Sequence, residues 1–207
     1  PSLIRWMHKK GWQSLLPIQD LAVRPILEAK SDVIISASTA SGKTEAAFLP
    51  AITAIHKNPE KTGIRILYIS PLKALINDQF ERLKDLLEDR DIPVWPWHGD
   101  VSQTTKKKAL KTAQGVLQIT PESLEALLMR HPGDARRLFS DLRFVVIDEI
   151  HALMGEDRGL QVLCLLSRLE SLIGCKPRRI GLSATLNDYQ PAMDFLSAGS
   201  SAGEKTM

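Results

Sequence analysis

Along this chain, short runs of β-branched and aliphatic residues alternate with longer stretches in which apolar positions recur every three or four residues. The runs are Asp32-Val33-Ile34-Ile35-Ser36, Ile66-Leu67-Tyr68-Ile69, Val94-Trp95-Pro96-Trp97, Val116-Leu117-Gln118-Ile119, Phe144-Val145-Val146-Ile147 and Arg179-Ile180-Gly181-Leu182. Most are nearly continuous in apolarity, the pattern of strands buried on both faces. The stretches with helical spacing cover 75–87, 122–130 and 160–173. Their alternation predicts an α/β domain, a mostly parallel sheet with helices on both faces.

Details of the pattern add further expectations. Pro50 falls eight residues past Gly42, where it should end or kink the helix that starts there. Trp95 and Trp97 alternate onto one face of their run, so burial of that face is expected over a stacking role. Lys106-Lys107-Lys108 with Lys111 reads as the solvated basic face of a short helix. From Ser197 the chain turns small and polar, a linker or frayed tail. The expected division is an N-terminal helical segment over 1–30, one domain over 31–196 and a flexible tail over 197–207.

The loop after the first run reads Ala37-Ser38-Thr39-Ala40-Ser41-Gly42-Lys43-Thr44, and helix-compatible Glu45-Ala46-Ala47-Phe48-Leu49 follows. Strand, loop and helix in that order give a phosphate-loop signature its meaning. Backbone N–H groups from Ala40 to Thr44 would point inward at the positive end of the helix, toward anionic oxygens. Lys43 would reach the β- and γ-phosphates of a nucleoside triphosphate, and Thr44 would offer its hydroxyl to Mg²⁺. Gly42 leaves room for a phosphate beside the backbone. Ala37 stands where the general pattern has glycine, a turn that alanine passes if its φ is negative.

The run 144–147 delivers Asp148-Glu149-Ile150-His151 to a strand's C-terminal end, the edge at which open α/β sheets bind ligands. Asp148 suits Mg²⁺, directly or through water. Glu149 suits a general base that orients and deprotonates a water. Either motif alone is compatible with an ordinary strand end. Their order, with Ser183-Ala184-Thr185 beyond, is that of an NTP-driven motor. No second His or Cys stands near His151 at ligand spacing, so a transition-metal site is not expected. An Asn-Lys-x-Asp string is absent, which argues against a guanine-reading switch.

Composition narrows the picture only slightly. The 207 residues, 43% hydrophobic and 25% charged, suit a single soluble domain. A net charge of +3 names no partner, so attraction to nucleic acid must come from local placement. Two cysteines imply no disulfide framework, which fits a reducing cytoplasm, and Cys164 in its apolar helical stretch is expected to serve packing. The N-terminus lacks a signal-peptide pattern and no apolar run is long enough to span a bilayer.

Further strings complete a resemblance. Leu16-Pro17-Ile18-Gln19 looks like an adenine-reading Q motif, Pro71-Leu72-Lys73-Ala74-Leu75 like motif Ia, His98-Gly99-Asp100 like motif Ib and Thr120-Pro121-Glu122-Ser123-Leu124 like motif Ic. With the phosphate loop, the D-E-x-H box and Ser183-Ala184-Thr185, residues 12–186 resemble the N-terminal RecA-like lobe of superfamily 2 DExH-box helicases. The strings from Gly42 to Pro50, from Asp148 to Leu153 and from Arg179 to Leu186, with Arg158-Gly159, look most like the Lhr (large helicase-related) type. Thr39-Ala40-Ser41 departs from that type's usual Thr-Gly-Ser.

The resemblance implies a RecA-like P-loop NTPase fold that uses ATP and Mg²⁺. It implies catalytic roles for Lys43, Asp148 and Glu149, and a nucleotide site of Gln19, Thr39, Ala40, Ser41, Gly42, Lys43 and Thr44, with Thr44 and Asp148 holding the metal. His151, Ser183 and Thr185 would couple that site to a nucleic-acid track of Pro71, Lys73, Gly99, Asp100, Thr120 and Pro121. Trp12 would support the base or be an ordinary core aromatic. Implied partners are single-stranded or partly duplex nucleic acid, DNA favoured over RNA, and a second RecA-like lobe of the same polypeptide, with no membrane. Without that lobe's arginine fingers the fragment should hydrolyse ATP poorly. A non-catalytic clamp on nucleic acid or protein stays open as the alternative.

Overall fold

The computed structural model describes residues 11–38, 41–56, 63–87 and 91–199. Six strands form one sheet: β1 (Val33–Ser36), β2 (Gly63–Ile69), β3 (Val94–Trp97), β4 (Gln114–Ile119), β5 (Phe144–Ile147) and β6 (Arg178–Ser183). Their spatial order is β1-β6-β5-β2-β4-β3, and every pairing is parallel. Helices connect them: α1 (Pro17–Glu28) before β1, α2 (Lys43–His56), α3 (Lys73–Leu87), α4 (Gln103–Thr112), α5 (Pro121–Arg130), α6 (Pro132–Leu138), α7 (Asp157–Ile173) and α8 (Gln190–Ser197). A single 3₁₀ turn, Ile150–Ala152, follows β5. Each expected run is a strand, and parallel pairing requires the helical crossovers seen between them.

The strands divide their side chains between two cores. Val145 and Ile147 of β5 face the α5–α7 layer, whereas Phe144 and Val146 face α1, α2 and α3. On β2 the sides change spacing: Ile64, Leu67 and Ile69 lie in the first core, Ile66 and Tyr68 in the second. A register irregularity between Ile64 and Ile66 accounts for the odd step. Trp95 and Trp97 are buried in the first core, as their alternation predicts, and Trp12 packs against the second. Arg178 ties α1 to the sheet, donating to the carbonyls of Pro25, Ile26 and Ser31 at 2.7–3.0 Å.

Pro50 does not end its helix, since α2 continues to His56, so of the expected end or kink the end is excluded. The residue one turn earlier, whose carbonyl the ring crowds, is Ala46, and the segment from Ala46 to Ile52 is wholly buried, so packing holds a turn that loses one hydrogen bond. Cys164, expected to serve packing, is exposed, because the buried stripe of α7 runs through Val162, Leu165, Leu166 and Leu169 and leaves position 164 on the opposite face. Ser197, where the expected tail starts, belongs to α8, and residues 200–207 lie outside the described part. Among the described residues no helix is long and apolar enough to cross a membrane.

Candidate active site

All six strands run the same way, so their C-terminal ends share one rim. The β1, β6 and β5 ends carry the phosphate loop, Ser183 and the acidic box, side by side. Thr39 and Ala40 lie outside the described residues. Ser41 and Gly42 lead into α2, whose first turn is Lys43, Thr44 and Glu45, three residues whose N–H groups have no partner within the helix. Lys43 Nζ reaches back to the end of β1, donating to the carbonyls of Ala37 at 2.7 Å and Ser38 at 2.9 Å. Ala37 is not among the positive-φ residues, which removes the objection to an alanine there. Ser41 Oγ is buried with no protein partner.

Gly42 has φ +82°, and a Cβ there would come within 2.6 Å of Gln19 Nε2. Glycine is required both for the turn and for this close approach. Gln19 itself is 1% exposed. Its Oε1 accepts the Leu16 N–H at 3.0 Å, while Nε2 has no protein partner, leaving a donor beside the loop.

Asp148 is buried at the end of β5. Its Oδ1 accepts the Glu149 N–H at 2.9 Å, and its Oδ2 accepts the hydroxyl of Tyr68. Burial pushes the Asp148 carboxyl above the ordinary carboxylate range; the Tyr68 hydrogen bond and, more weakly, the Lys43 charge oppose this. Burial, reinforced by the Asp148 charge, drives the Tyr68 phenol well above its usual value and keeps it a donor.

Glu149 adopts φ 53°, ψ 42°, a left-handed conformation that a non-glycine residue holds at a cost of about 1–2 kcal/mol. That turn aims its carboxylate at His151, with Oε2 3.2 Å from Nε2. The other ring nitrogen, Nδ1, accepts the Ala184 N–H at 3.2 Å. An acceptor Nδ1 assigns the hydrogen to Nε2, so His151 donates to Glu149 and holds the 183–184 segment at the same time. Ser183 Oγ lies 3.4 Å from Nδ1. Thr185 is exposed, and among the described residues no hydrogen bond joins it to His151. Ser36, which motif reading passed over, fixes the same segment: its hydroxyl donates to Ala184 O at 2.8 Å and accepts the Leu186 N–H at 3.2 Å.

The donor set fits Mg²⁺ with a nucleotide. Among the described residues no cluster of three or more His, Cys, Asp or Glu could cage an ion by itself. Mg²⁺ favours the opposite arrangement, one or two protein oxygens with waters and phosphates, and the Thr44 hydroxyl and Asp148 carboxylate supply those.

The β2, β4 and β3 ends bound a groove of about 640 Å³ lined by Pro71, Lys73, Gly99 and Thr120, together with Trp97, Lys106, Arg130 and Arg158. Lys73 is ion-paired at 3.1 Å to Asp100. Thr120 caps α5, and Pro121 is buried as that helix's first residue. Lys106 Nζ lies 5.9 Å from the centre of the Trp97 ring, so it sits over the groove and not on the solvated face with Lys107 and Lys108. Only the fold reveals this, because α4 turns its residue 106 toward β3. Arg158 pairs with Glu122 at 2.5 Å.

Residues 16–193 match the DEAD/DEAH box helicase family. The chain belongs to that family. It is 34% identical over 212 residues to the ATP-dependent helicase Lhr-Core of Sulfolobus acidocaldarius, covering 96% of this chain but 24% of that protein. Among solved structures, helicase Lhr of Mycobacterium smegmatis bound to ssDNA and AMP-PNP is 32% identical with a TM-score of 0.79, over 95% of this chain and 26% of the other. The DUF1998 helicase MrfA bound to DNA is 27% identical with a TM-score of 0.80, over 95% and 28%. The helicase lobe therefore spans about a quarter of such relatives. The RecA-like fold and the Lhr-like resemblance both hold.

Proposed function

We propose that this chain is the ATP-binding lobe, over residues 31–196 with an N-terminal segment before it, of a translocase that couples ATP hydrolysis to movement along single-stranded nucleic acid. The observation that carries the reading is the chain of polar contacts from Asp148 through Glu149 and His151 to Ser183 and Ala184, on the rim that also carries Lys43. In this reading Lys43 and the first-turn N–H groups of α2 hold the triphosphate. Thr44 and Asp148 hold Mg²⁺, which supplies neutralisation of phosphate charge. Glu149 takes a proton from the attacking water, and Gln19 offers its amide to the adenine. His151 reports the state of Glu149 to the 183–185 segment.

Pro71, Lys73, Gly99, Asp100, Thr120 and Pro121 shape the track, with Lys106, Arg130 and Arg158 added to it. Backbone and phosphate contacts of this kind do not read sequence. DNA is favoured over RNA on the ssDNA- and DNA-bound structures that resemble this chain. A second RecA-like lobe of the same polypeptide supplies arginine fingers, so this lobe alone turns over ATP slowly. The exposed, unpaired thiols Cys164 and Cys175 support a cytoplasmic setting.

Glu149→Gln in the full polypeptide containing this chain tests the reading. The isosteric amide cannot accept the proton, so nucleic-acid-stimulated ATP hydrolysis should fall about 100-fold or more while ATP binding persists. Retained function in unwinding or strand movement with hydrolysis abolished would instead favour a passive clamp.

A further inference from the structure

The sheet order places β2 next to β5, at the junction between the nucleotide half of the rim and the groove half. Tyr68 pairs in register with Val146 of β5, two residues before Asp148. Its side chain is fully buried on the α2 side of the sheet. There the ring packs against Phe48 of α2, with centroids 5.9 Å apart at 47°, and the hydroxyl donates to Asp148 Oδ2. No motif assigns Tyr68 a role. An aliphatic residue would fill the same core position, whereas a hydroxyl carried into that core is tolerated only with a partner.

The acidic side chain would otherwise be loosely set. Glu149, in its left-handed turn, fixes Oδ1 through its own N–H, and Oδ2 has the Tyr68 hydroxyl as its protein donor. Each oxygen has further lone pairs, so one held donor per oxygen fixes the carboxylate's plane and leaves acceptor capacity toward the rim. Partners of this kind orient a metal ligand without touching the metal.

We propose that Tyr68 is a positioning residue that presents the Asp148 carboxylate to a nucleotide-bound divalent cation, and that Phe48 carries the position of the phosphate-loop helix to it. This rests on the reading of Asp148 as the Mg²⁺ carboxylate. Removing the hydroxyl alone, in Tyr68→Phe, keeps the ring against Phe48 and frees Oδ2 to rotate. Outer partners of metal ligands typically contribute 10–100-fold in metal affinity.

The test is binding of a fluorescent ATP analogue to this chain, titrated with Mg²⁺ and repeated in EDTA, without any turnover readout. The expected result for Tyr68→Phe is an Mg²⁺ half-saturation raised about tenfold or more with metal-free nucleotide binding unchanged. Equal half-saturation in variant and parent overturns the proposal. Equal loss in EDTA also overturns it, since that is what a packing role alone would give. Should Tyr68→Phe fail to fold, the parent answers through Tyr189→Phe, which leaves Tyr68 as the single tyrosine of the two. Its ultraviolet difference spectrum should then change when Mg²⁺ is added to the nucleotide complex, and an unchanged spectrum overturns the proposal. A parent chain with no Mg²⁺-dependent nucleotide binding sinks the reading of the site itself, an outcome distinct from a normal parent with an unaffected variant.

Discussion

His98 is a buried ring whose surroundings make it a titration sensor. Its Nε2 lies 3.0 Å from Asn77 Oδ1, an acceptor only, so Nε2 carries the hydrogen. Burial holds the imidazole below its ordinary value; Asp100 in the following loop opposes this, and Lys73 at the start of α3 and Lys106 on α4 add to it. In the unfolded chain the ring takes its proton near the ordinary value of about 6.5, whereas the folded chain takes it only at lower pH. Between those two values the unfolded state binds more protons, so this group's contribution rises with pH across the window and is lost as pH falls below about 6.5. Urea denaturation at pH 7.5 and 5.5 should show a larger loss in the parent than in His98→Asn, and equal losses would refute the assignment. Such effects were not legible in the sequence. Lys43, Asp148 and Glu149 were, because phosphate and Mg²⁺ chemistry demands those residue types in that order. Tyr68 and Ser36 were hidden because each looks like an ordinary strand residue until its partner, 80 or 148 positions away, is brought beside it.

At the level of elements, the acidic turn is built by the helix that follows it. The N-terminus of α7 lies so close to the 3₁₀ turn that a Cβ on Gly159 would fall 2.0 Å from the Leu153 carbonyl oxygen and 3.1 Å from Phe195 Cε2 of α8. A backbone oxygen cannot swing aside as a side chain can, so the helix or the turn would have to move. Gly159→Ala should therefore destabilise the fold by about 1–3 kcal/mol, the usual cost of overpacking. The reverse expectation, alanine improving a helical glycine by about 1 kcal/mol, is what a free-standing helix would give, and urea unfolding decides by its sign. Element existence was readable for all six strands, since burial on both faces leaves a continuous apolar signature, and for the helices over 75–87, 122–130 and 160–173, from the recurrence of apolar positions every three or four residues. The continuation of α2 through Pro50 was not, because what sustains it is the surrounding core and the small Ala46 one turn earlier. The turn of Lys106 toward Trp97 was equally invisible, a matter of helix phase relative to β3.

For the whole molecule, charge placement decides how nucleic acid is held. A net charge of +3 on 207 residues gives little long-range attraction, so binding must come from the groove beside β2, β4 and β3. Two of its cations are already engaged there: Lys73 with Asp100 and Arg158 with Glu122. Lys106 and Arg130 line the groove as well, and no carboxylate is paired with either among the described residues. If those two neutralise one phosphate each, affinity for a single strand should fall with a log–log salt slope of about −1.4, taking about −0.7 per phosphate. A fourfold rise in salt then weakens binding about sevenfold, a shallow dependence for a protein of this class. Anisotropy titrations of this chain with a labelled oligodeoxythymidine across salt concentrations measure the slope. Lys106→Gln should flatten it by about 0.7, whereas Lys107→Gln, one position along α4 and outside the groove lining, should leave it unchanged. A parent slope much steeper than about −3 would mean that more than four phosphates are met, more than this groove can supply, and the strand would have to lie elsewhere.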